Sequence, residues 1–387
     1  MTATTIRPFR VSASNEQLAD LHERLRRMRF PGEVEGSGWE YGSNLAYLRE
    51  LVRYWRDQYD WPAAEAALNR LPQFTASVNG LRLHFVYQRG KGPAPLPLLF
   101  SHGWPGSFWE VHKILGPLTD PAAHGGDPAD AFDVVAPSLP GYGFSEDPRA
   151  TGTSPAVIAD LFATLMTETL DYPRFGAQGG DWGAWIAARL GYAHADKVIG
   201  VHLNLFPSRL YSEDAMAPLT KEEQQFMVEA QAWRNAEGGY HAIQATKPQT
   251  LAFGLTDSPA GLAAWIVEKF RSWSDCGGQV EWRFTKDDLL TNIMIYWLSG
   301  CVGSSMRLYY EHRAHPWSLG PGARIEVPTG FARFAFEITR PPREWVERAC
   351  DLRHWSDFPR GGHFAALEEP ELLVNDLRDF FRPLRGK

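Results

Sequence analysis

Cysteine is nearly absent from this chain. Cys276, Cys301 and Cys350 are the only three among 387 residues. They are odd in number and widely spaced, and they fit neither a disulfide framework nor a zinc pattern. Three reduced, mainly structural thiols in a cytoplasmic protein are therefore expected. Long apolar runs are missing as well. No stretch approaches the roughly 20 apolar residues that span a bilayer. The segment from Met1 to Arg10 has no apolar core of the kind a secretory signal carries, so neither a signal peptide nor a membrane anchor is expected. No run of like charge stands out, and the net charge of −7 argues against a nucleic-acid or anionic-membrane surface. Lysine is scarce beside arginine, which points to a GC-rich genome more than to a physical role. There is no internal repeat or low-complexity segment.

What the chain has in abundance is apolar and aromatic mass. Hydrophobic residues make up 44% of it, with 15 Trp and 22 Phe. That is ample for a large core and leaves some aromatics to line an apolar pocket. Residues 1–75 lack strong strand signals. Helices are predicted over Asn15–Arg27 and Asn44–Tyr59 from leucine and tyrosine at three- and four-residue spacing, with a glycine-rich stretch between them. Strand character begins at residue 76, with Leu81–Tyr87, Leu96–Phe100, Phe132–Pro137 and Val198–Leu203. A helix is predicted over Ser154–Leu170, with Ser154 as N-cap before Pro155. Strands alternating with helices imply a mostly parallel sheet covered on both faces. Residues 207–312 interrupt the rhythm with helical patterns over Lys221–Arg234, Gly261–Trp273 and Asp288–Tyr310, as a lid over the catalytic face would. Core character returns over 313–387, with a strand at Ile325–Phe331 and a closing amphipathic helix at Glu371–Phe381. The division expected is thus an N-terminal segment 1–75, a core in two parts, 76–206 and 313–387, and a lid, 207–312.

The chemistry centres on Gly179-Gly180-Asp181-Trp182-Gly183. This is the spacing of a nucleophile elbow, a sharp turn between strand and helix, with aspartate in place of serine. Small flanking residues let neighbouring backbones approach closely. A carboxylate attacks an alkyl carbon and leaves an alkyl ester, so the target is an electrophilic carbon. Hydrolysing that ester needs a base, a carboxylate to steady it and an oxyanion hole. His363, in Gly361-Gly362-His363-Phe364-Ala365-Ala366-Leu367-Glu368, is the candidate base. Glu337, after the strand-like Thr329–Phe336, is the candidate acid, with Asp351 and Glu326 as weaker rivals. His102-Gly103-Trp104-Pro105-Gly106 follows a short apolar strand, and the amides of Trp104 and Trp182 are the candidate oxyanion donors.

These motifs, with Thr246-Lys247-Pro248-Gln249-Thr250, resemble the epoxide hydrolase family in its microsomal and juvenile-hormone branch. The likeness spans nearly the whole chain. It implies an α/β-hydrolase fold with a mostly parallel central sheet, a helical lid and an N-terminal segment that wraps the core. It also implies two lid tyrosines that hydrogen-bond the epoxide oxygen. Tyr240 matches the first and Tyr309 the second, with Tyr310 adjacent to it. The activity implied is opening of an epoxide to a vicinal diol, with a small-molecule epoxide and water as the reactants and no metal or organic cofactor. A homodimer is a reasonable expectation from the family. Some bacterial relatives act in antibiotic pathways, including enediyne biosynthesis, and the arginine-rich composition is compatible with that origin. Trp233, Trp265, Trp273 and Trp282 in the lid suggest a bulky apolar or aryl substrate. Two alternatives stand beside this reading: a haloalkane dehalogenase, which uses the same Asp, His and acid, and a non-catalytic ligand-binding protein on a hydrolase fold.

Overall fold

The computed structural model of the chain describes residues 5–207, 210 and 218–386. Residues 208, 209 and 211–217 of the predicted lid, 1–4 of the N-terminal segment and 387 lie outside the described residues. The N-terminal segment holds a short strand, β1 (Arg7–Phe9), and helices α1 (Asn15–Arg26), α2 (Leu45–Asp57) and α3 (Trp61–Leu68). Both predicted helices are present, and α1 is opened by a capping box between Ser14 and Gln17. The strand β1 and the helix α3 are additions to the sequence reading. A three-residue edge strand is too short to show alternation, and α3 is short and rich in alanine.

The core continues with β2 (Gln73–Val78), β3 (Leu81–Gln88), β4 (Leu96–Ser101), the short α4 (Leu115–Thr119), β5 (Phe132–Pro137) and α5 (Pro155–Thr164). Ser154 stands at the N-cap of α5 in an extended conformation, yet its side chain makes no capping bond. Pro155 at the first helical position supplies the start instead. A π-helical turn, Leu165–Thr169, carries the chain on. Next come β6 (Phe175–Gly179), α6 (Asp181–Ala193) and β7 (Val198–Leu203). The lid contributes α7 (Lys221–Glu237), α8 (Gly239–Gln244), α9 (Pro248–Asp257), α10 (Pro259–Ser272), α11 (Lys286–Ser299) and α12 (Val302–Ala314). The helical stretch predicted as one, Asp288–Tyr310, is two helices. Gly300 breaks it in a left-handed conformation, φ 68°, which glycine adopts without a Cβ penalty. The chain ends with β8 (Ile325–Phe336), α13 (Arg343–Ala349), β9 (Cys350–Gly362), α14 (Ala365–Glu368) and α15 (Pro370–Phe381).

The nine strands form one sheet in the order β1-β2-β3-β5-β4-β6-β7-β8-β9. The first four pair antiparallel, and β5 through β9 in that order are parallel. Every residue of β6 is buried, as a central parallel strand covered on both faces requires. The parallel strands all point one way, so the loops after β4, β6, β8 and β9 gather at one sheet edge. That is where open α/β sheets carry their sites.

The N-terminal segment ties down the lid. Ser43 Oγ donates to Ala264 O at 2.7 Å, Tyr54 Oη donates to Asp287 Oδ1 at 2.8 Å, and Lys286 pairs with Glu50 at 2.9 Å. Beneath these polar contacts, α2 buries Leu48, Leu51, Val52 and Trp55, each worth roughly 1.5–3 kcal/mol relative to exposure. The lid is thus held from outside by α2 and from inside by the core. Among the described residues, no helix is long and apolar enough to cross a membrane.

Candidate active site

Asp181 is the first residue of α6, separated from β6 by Gly180 alone. Its φ is +47°, a left-handed conformation uncommon outside glycine. The surrounding glycines show why the turn needs them. A Cβ on Gly179 would lie 2.1 Å from the Gly183 carbonyl, and one on Gly183 would lie 2.0 Å from Ser101 O. A Cβ on Gly103 would lie 2.1 Å from Asp181 Oδ1. The two flanking glycines let helix and strand meet, and the third lets the carboxylate sit against the loop after β4.

That loop supplies a hydrogen bond. Trp104 N–H donates to Asp181 Oδ1 at 2.8 Å. Trp182 N–H belongs to the first turn of α6, whose amides have no carbonyl acceptor within the helix. The loop is fastened on both sides. His102 Nδ1 lies 3.0 Å from Gly103 O, while Leu139 N–H donates to His102 Nε2 at 3.3 Å. Burial drops the His102 pKa to about 4, so the ring is neutral, with the proton on Nδ1. From the lid, Asn292 Nδ2 donates to Pro105 O at 2.8 Å and Tyr296 Oη donates to Gly106 O at 2.7 Å.

His363 and Glu337 complete the set. His363 Nδ1 lies 2.7 Å from Glu337 Oε1, and its Nε2 lies 3.5 Å from Asp181 Oδ2. Both side chains are buried. Glu337 is further fixed by the Ile338 amide, which donates to Oε1 at 2.6 Å. Burial opposes a charge on the His363 ring. The charges of Glu337 and Asp181, and the hydrogen bonds to them, outweigh it and hold the imidazole pKa well above its usual value. The loop carrying His363 is anchored through its own amide, which donates to Trp273 O at 2.9 Å. The two rival acids stand elsewhere: Asp351 pairs with Arg353, and Glu326 is exposed.

Tyr240, on α8, and Tyr309, on α12, line the same cavity as Asp181, a space of about 870 Å³ between lid and core. Their ring centroids are 5.8 Å apart at 83°. Tyr240 stacks on Trp104 at 5.3 Å and 7°, and Tyr309 meets Trp182 edge-on at 4.7 Å. Burial raises both phenols well above 10, helped at Tyr240 by the Asp181 charge and at Tyr309 by Tyr240 and then Asp181, so both stay protonated and able to donate. The Tyr309 hydroxyl is buried with no formed hydrogen bond among the described residues. Tyr310 is 44% exposed and does not line the cavity. Of the four lid tryptophans, Trp233 lines the cavity and Trp273 packs against Tyr240 and His363. Trp265 instead donates to Gln244, and Trp282 is 72% exposed. The aromatic lining comes largely from Trp182, Trp185 and Trp317, which the lid pattern did not single out.

A second, water-sized space of about 10 Å³ adjoins the Asp181 carboxylate, lined by His363, Asn204, Gln178 and Glu110 among others. Glu110 is the carboxyl that sequence reasoning missed. It stands four residues beyond Gly106, in a 3₁₀ turn with no motif of its own. A Cβ on Gly106 would lie 1.7 Å from Glu110 Oε1, so that glycine leaves the carboxyl its place. Burial pushes Glu110 up to about 8, although His363 opposes the rise. The folded value lies above the unfolded one. Folding therefore takes up a proton between about pH 4.5 and 8, and stability falls as pH rises through that window. Glu110→Gln removes this uptake. In thermal melts, the variant should gain on the parent enzyme steadily from the acid to the alkaline end of the window. Parallel curves would rule the effect out.

Among the described residues, no three His, Cys, Asp or Glu side chains cluster as a metal site. A family model described as epoxide hydrolase N terminus matches residues 6–111, and one described as alpha/beta hydrolase fold matches residues 97–248. Epoxide hydrolase 1 of Oryctolagus cuniculus is 40% identical over 407 residues, which cover 97% of this chain and 88% of the relative. The crystal structure of juvenile hormone epoxide hydrolase from the silkworm Bombyx mori matches with a TM-score of 0.89 at 33% identity, covering 99% of this chain and 95% of that one. The Aspergillus niger epoxide hydrolase structure matches with a TM-score of 0.86 at 29% identity, covering 98% and 97%. These likenesses favour ring opening over halide displacement or binding without turnover. Nearly the full length of this chain is shared with them, and the chain belongs to the epoxide hydrolases of the α/β-hydrolase fold.

Proposed function

We propose that this epoxide hydrolase works through a covalent ester on Asp181, formed under two tyrosine donors and hydrolysed by water activated at His363. The observation that carries the reading is the convergence on one carboxylate. Trp104 N–H holds Asp181 Oδ1, His363 Nε2 faces Oδ2, and Tyr240 and Tyr309 line the cavity that Asp181 borders. The epoxide oxygen takes hydrogen bonds from the two phenols, which offset the charge of the developing alkoxide. Asp181 Oδ2 attacks a ring carbon, the carbon–oxygen bond of the ring breaks, a phenol proton passes to the alkoxide and is replaced from solvent, and a hydroxyalkyl ester forms. Oδ1 becomes the ester carbonyl oxygen, already held by Trp104 N–H and near the first turn of α6.

Alkylation also prepares the second step. Esterified Asp181 carries no charge, so one of the two carboxylates that hold the His363 pKa up is lost. The imidazole, steadied by Glu337, then releases its proton to solvent and becomes a base. His363 takes a proton from a water in the small space beside it, and Glu110 borders that space as a further hydrogen-bonding group. The water attacks the ester carbonyl carbon, the carbon–Oδ2 bond breaks, and the diol leaves with Oδ2, which takes the proton held by His363 Nε2. The cavity lining of Trp182, Trp185, Trp233, Leu205 and Phe206 suits a bulky apolar or aryl epoxide, and the volume is of the size that accommodates such a ligand. A cytoplasmic homodimer belongs to this reading on the family likeness alone.

The test is the tyrosine pair. Tyr240→Phe and Tyr309→Phe should each slow ester formation from styrene oxide by about 10²-fold, the cost typical of one lost donor at a developing oxyanion. Breakdown of the ester, once formed, should change little. Unchanged ester formation in both variants would remove the tyrosines from the mechanism.

A further inference from the structure

Lys269 is a buried lysine on α10 with no part in the chemistry above. Its ammonium lies over the ring of Tyr240, 5.0 Å from the centroid, and over Trp273 at 5.7 Å. The same ammonium pairs with Glu268 at 2.5 Å and with Glu237, from α7, at 3.9 Å. An ammonium is strongly hydrated, and burying one against aromatic rings has a cost unless charge and π faces replace the water. Here both do. The lysine is also placed with care relative to the reacting groups. Its carbonyl accepts from Trp273 N–H at 3.0 Å, and Trp273 O in turn holds the His363 amide.

The charges around Tyr240 mostly work against its role as a donor. Asp181 on α6 and the two carboxylates, Glu268 and Glu237, all resist loss of the phenol proton. The other groups near the ring are His241 on α8 and Tyr309 on α12. Lys269 is a cation that lies directly over the π face. A positive charge there draws electron density from the phenol oxygen and strengthens its O–H as a donor, and the effect is large where water is excluded.

We infer that Lys269 is a positioning residue for ring opening, whose charge over the Tyr240 ring raises the donor strength of that phenol when the epoxide oxygen becomes an alkoxide. The inference rests on Tyr240 acting as a donor in the reaction. It assigns Lys269 to ester formation and not to ester hydrolysis.

Single-turnover kinetics with styrene oxide, quenched and read by mass spectrometry of the Asp181 peptide, separate the two steps. Lys269→Met, which keeps length and removes charge, should slow ester formation about tenfold and leave ester breakdown within about twofold. Lys269→Arg should recover most of the loss. In the Tyr240→Phe background, Lys269→Met should add less than about twofold, because the group it acts through is gone. Glu268→Gln gives the opposite sign. It strips the counter-ion and should speed ester formation, whereas a lysine needed only for packing would predict slowing. An undiminished Lys269→Met effect in the Tyr240→Phe background, or no effect in the parent, would overturn the inference. Should Lys269→Met fail to fold, the sign of the Glu268→Gln effect decides by itself. If Tyr240→Phe alone leaves ester formation unchanged, the donor role of Tyr240 falls, and this inference falls with it. A slow Tyr240→Phe beside a normal Lys269→Met would overturn only the lysine's role.

Discussion

Replacing Asp181 with asparagine should lower turnover of any epoxide by at least about 10⁴-fold, the scale on which removal of a triad member acts. Asparagine is the informative choice for two reasons. Asp181 has a φ of +47°, a conformation that asparagine enters more readily than alanine. The asparagine oxygen can also keep the bond from Trp104 N–H. The elbow therefore stays intact while the attacking oxygen is lost. Binding of an epoxide or its diol to the variant, measured by calorimetry, should persist within a few-fold. Turnover within tenfold of the parent enzyme would mean that water attacks the ring directly.

His363→Gln should stop the reaction at a different point. Asp181, Trp104 and both tyrosines are untouched, so ester formation should proceed. Ester breakdown should fall by about 10³-fold or more, since Glu337 does not line the water space and Glu110, pushed up to about 8, holds its proton at neutral pH. One equivalent of substrate per enzyme would then be consumed, and the adduct on the Asp181 peptide would persist. The pH behaviour of the parent enzyme follows the same logic. In the free enzyme Asp181 and Glu337 together favour a charged imidazole, and in the ester only Glu337 remains. On the proposed mechanism, alkylation itself releases the base that hydrolysis requires. A variant that forms no adduct at all would place His363 in the first step instead.

Much of this site was legible from residue order alone because its geometry is local. An elbow needs glycines at fixed offsets, and the reason is visible in the backbone that an added Cβ would meet at 2.1 Å at Gly179 and 2.0 Å at Gly183. Glu337 and His363 could be placed because each follows a strand, β8 or β9, whose end lies at the same sheet edge as β6. The parallel strands were readable for a similar reason, as short apolar runs between turn residues. Other features depend on which segments meet in space, and no pattern in one segment reports that. Glu110 shares a small space with Asp181, and Gly106 leaves it room. Lys269 reaches Tyr240 across two lid helices, and Asn292 and Tyr296 grip the Trp104 loop from almost 190 residues away. The break at Gly300 was hidden by the apolar periodicity that runs through both α11 and α12. Ser154 stands at the N-cap as its position before Pro155 predicts, although its side chain makes no capping bond, and Pro155 fixes the helix start.

The central claim is that Asp181 becomes an ester and that its carboxylate, not water, supplies the first diol oxygen. One enzyme turnover of styrene oxide in oxygen-18 water, with mass spectrometry of both the diol and the Asp181 peptide, tests it most directly. Heavy oxygen should appear in Asp181 and none in the diol of that first turnover. Heavy oxygen in the diol, with Asp181 unlabelled, would contradict it.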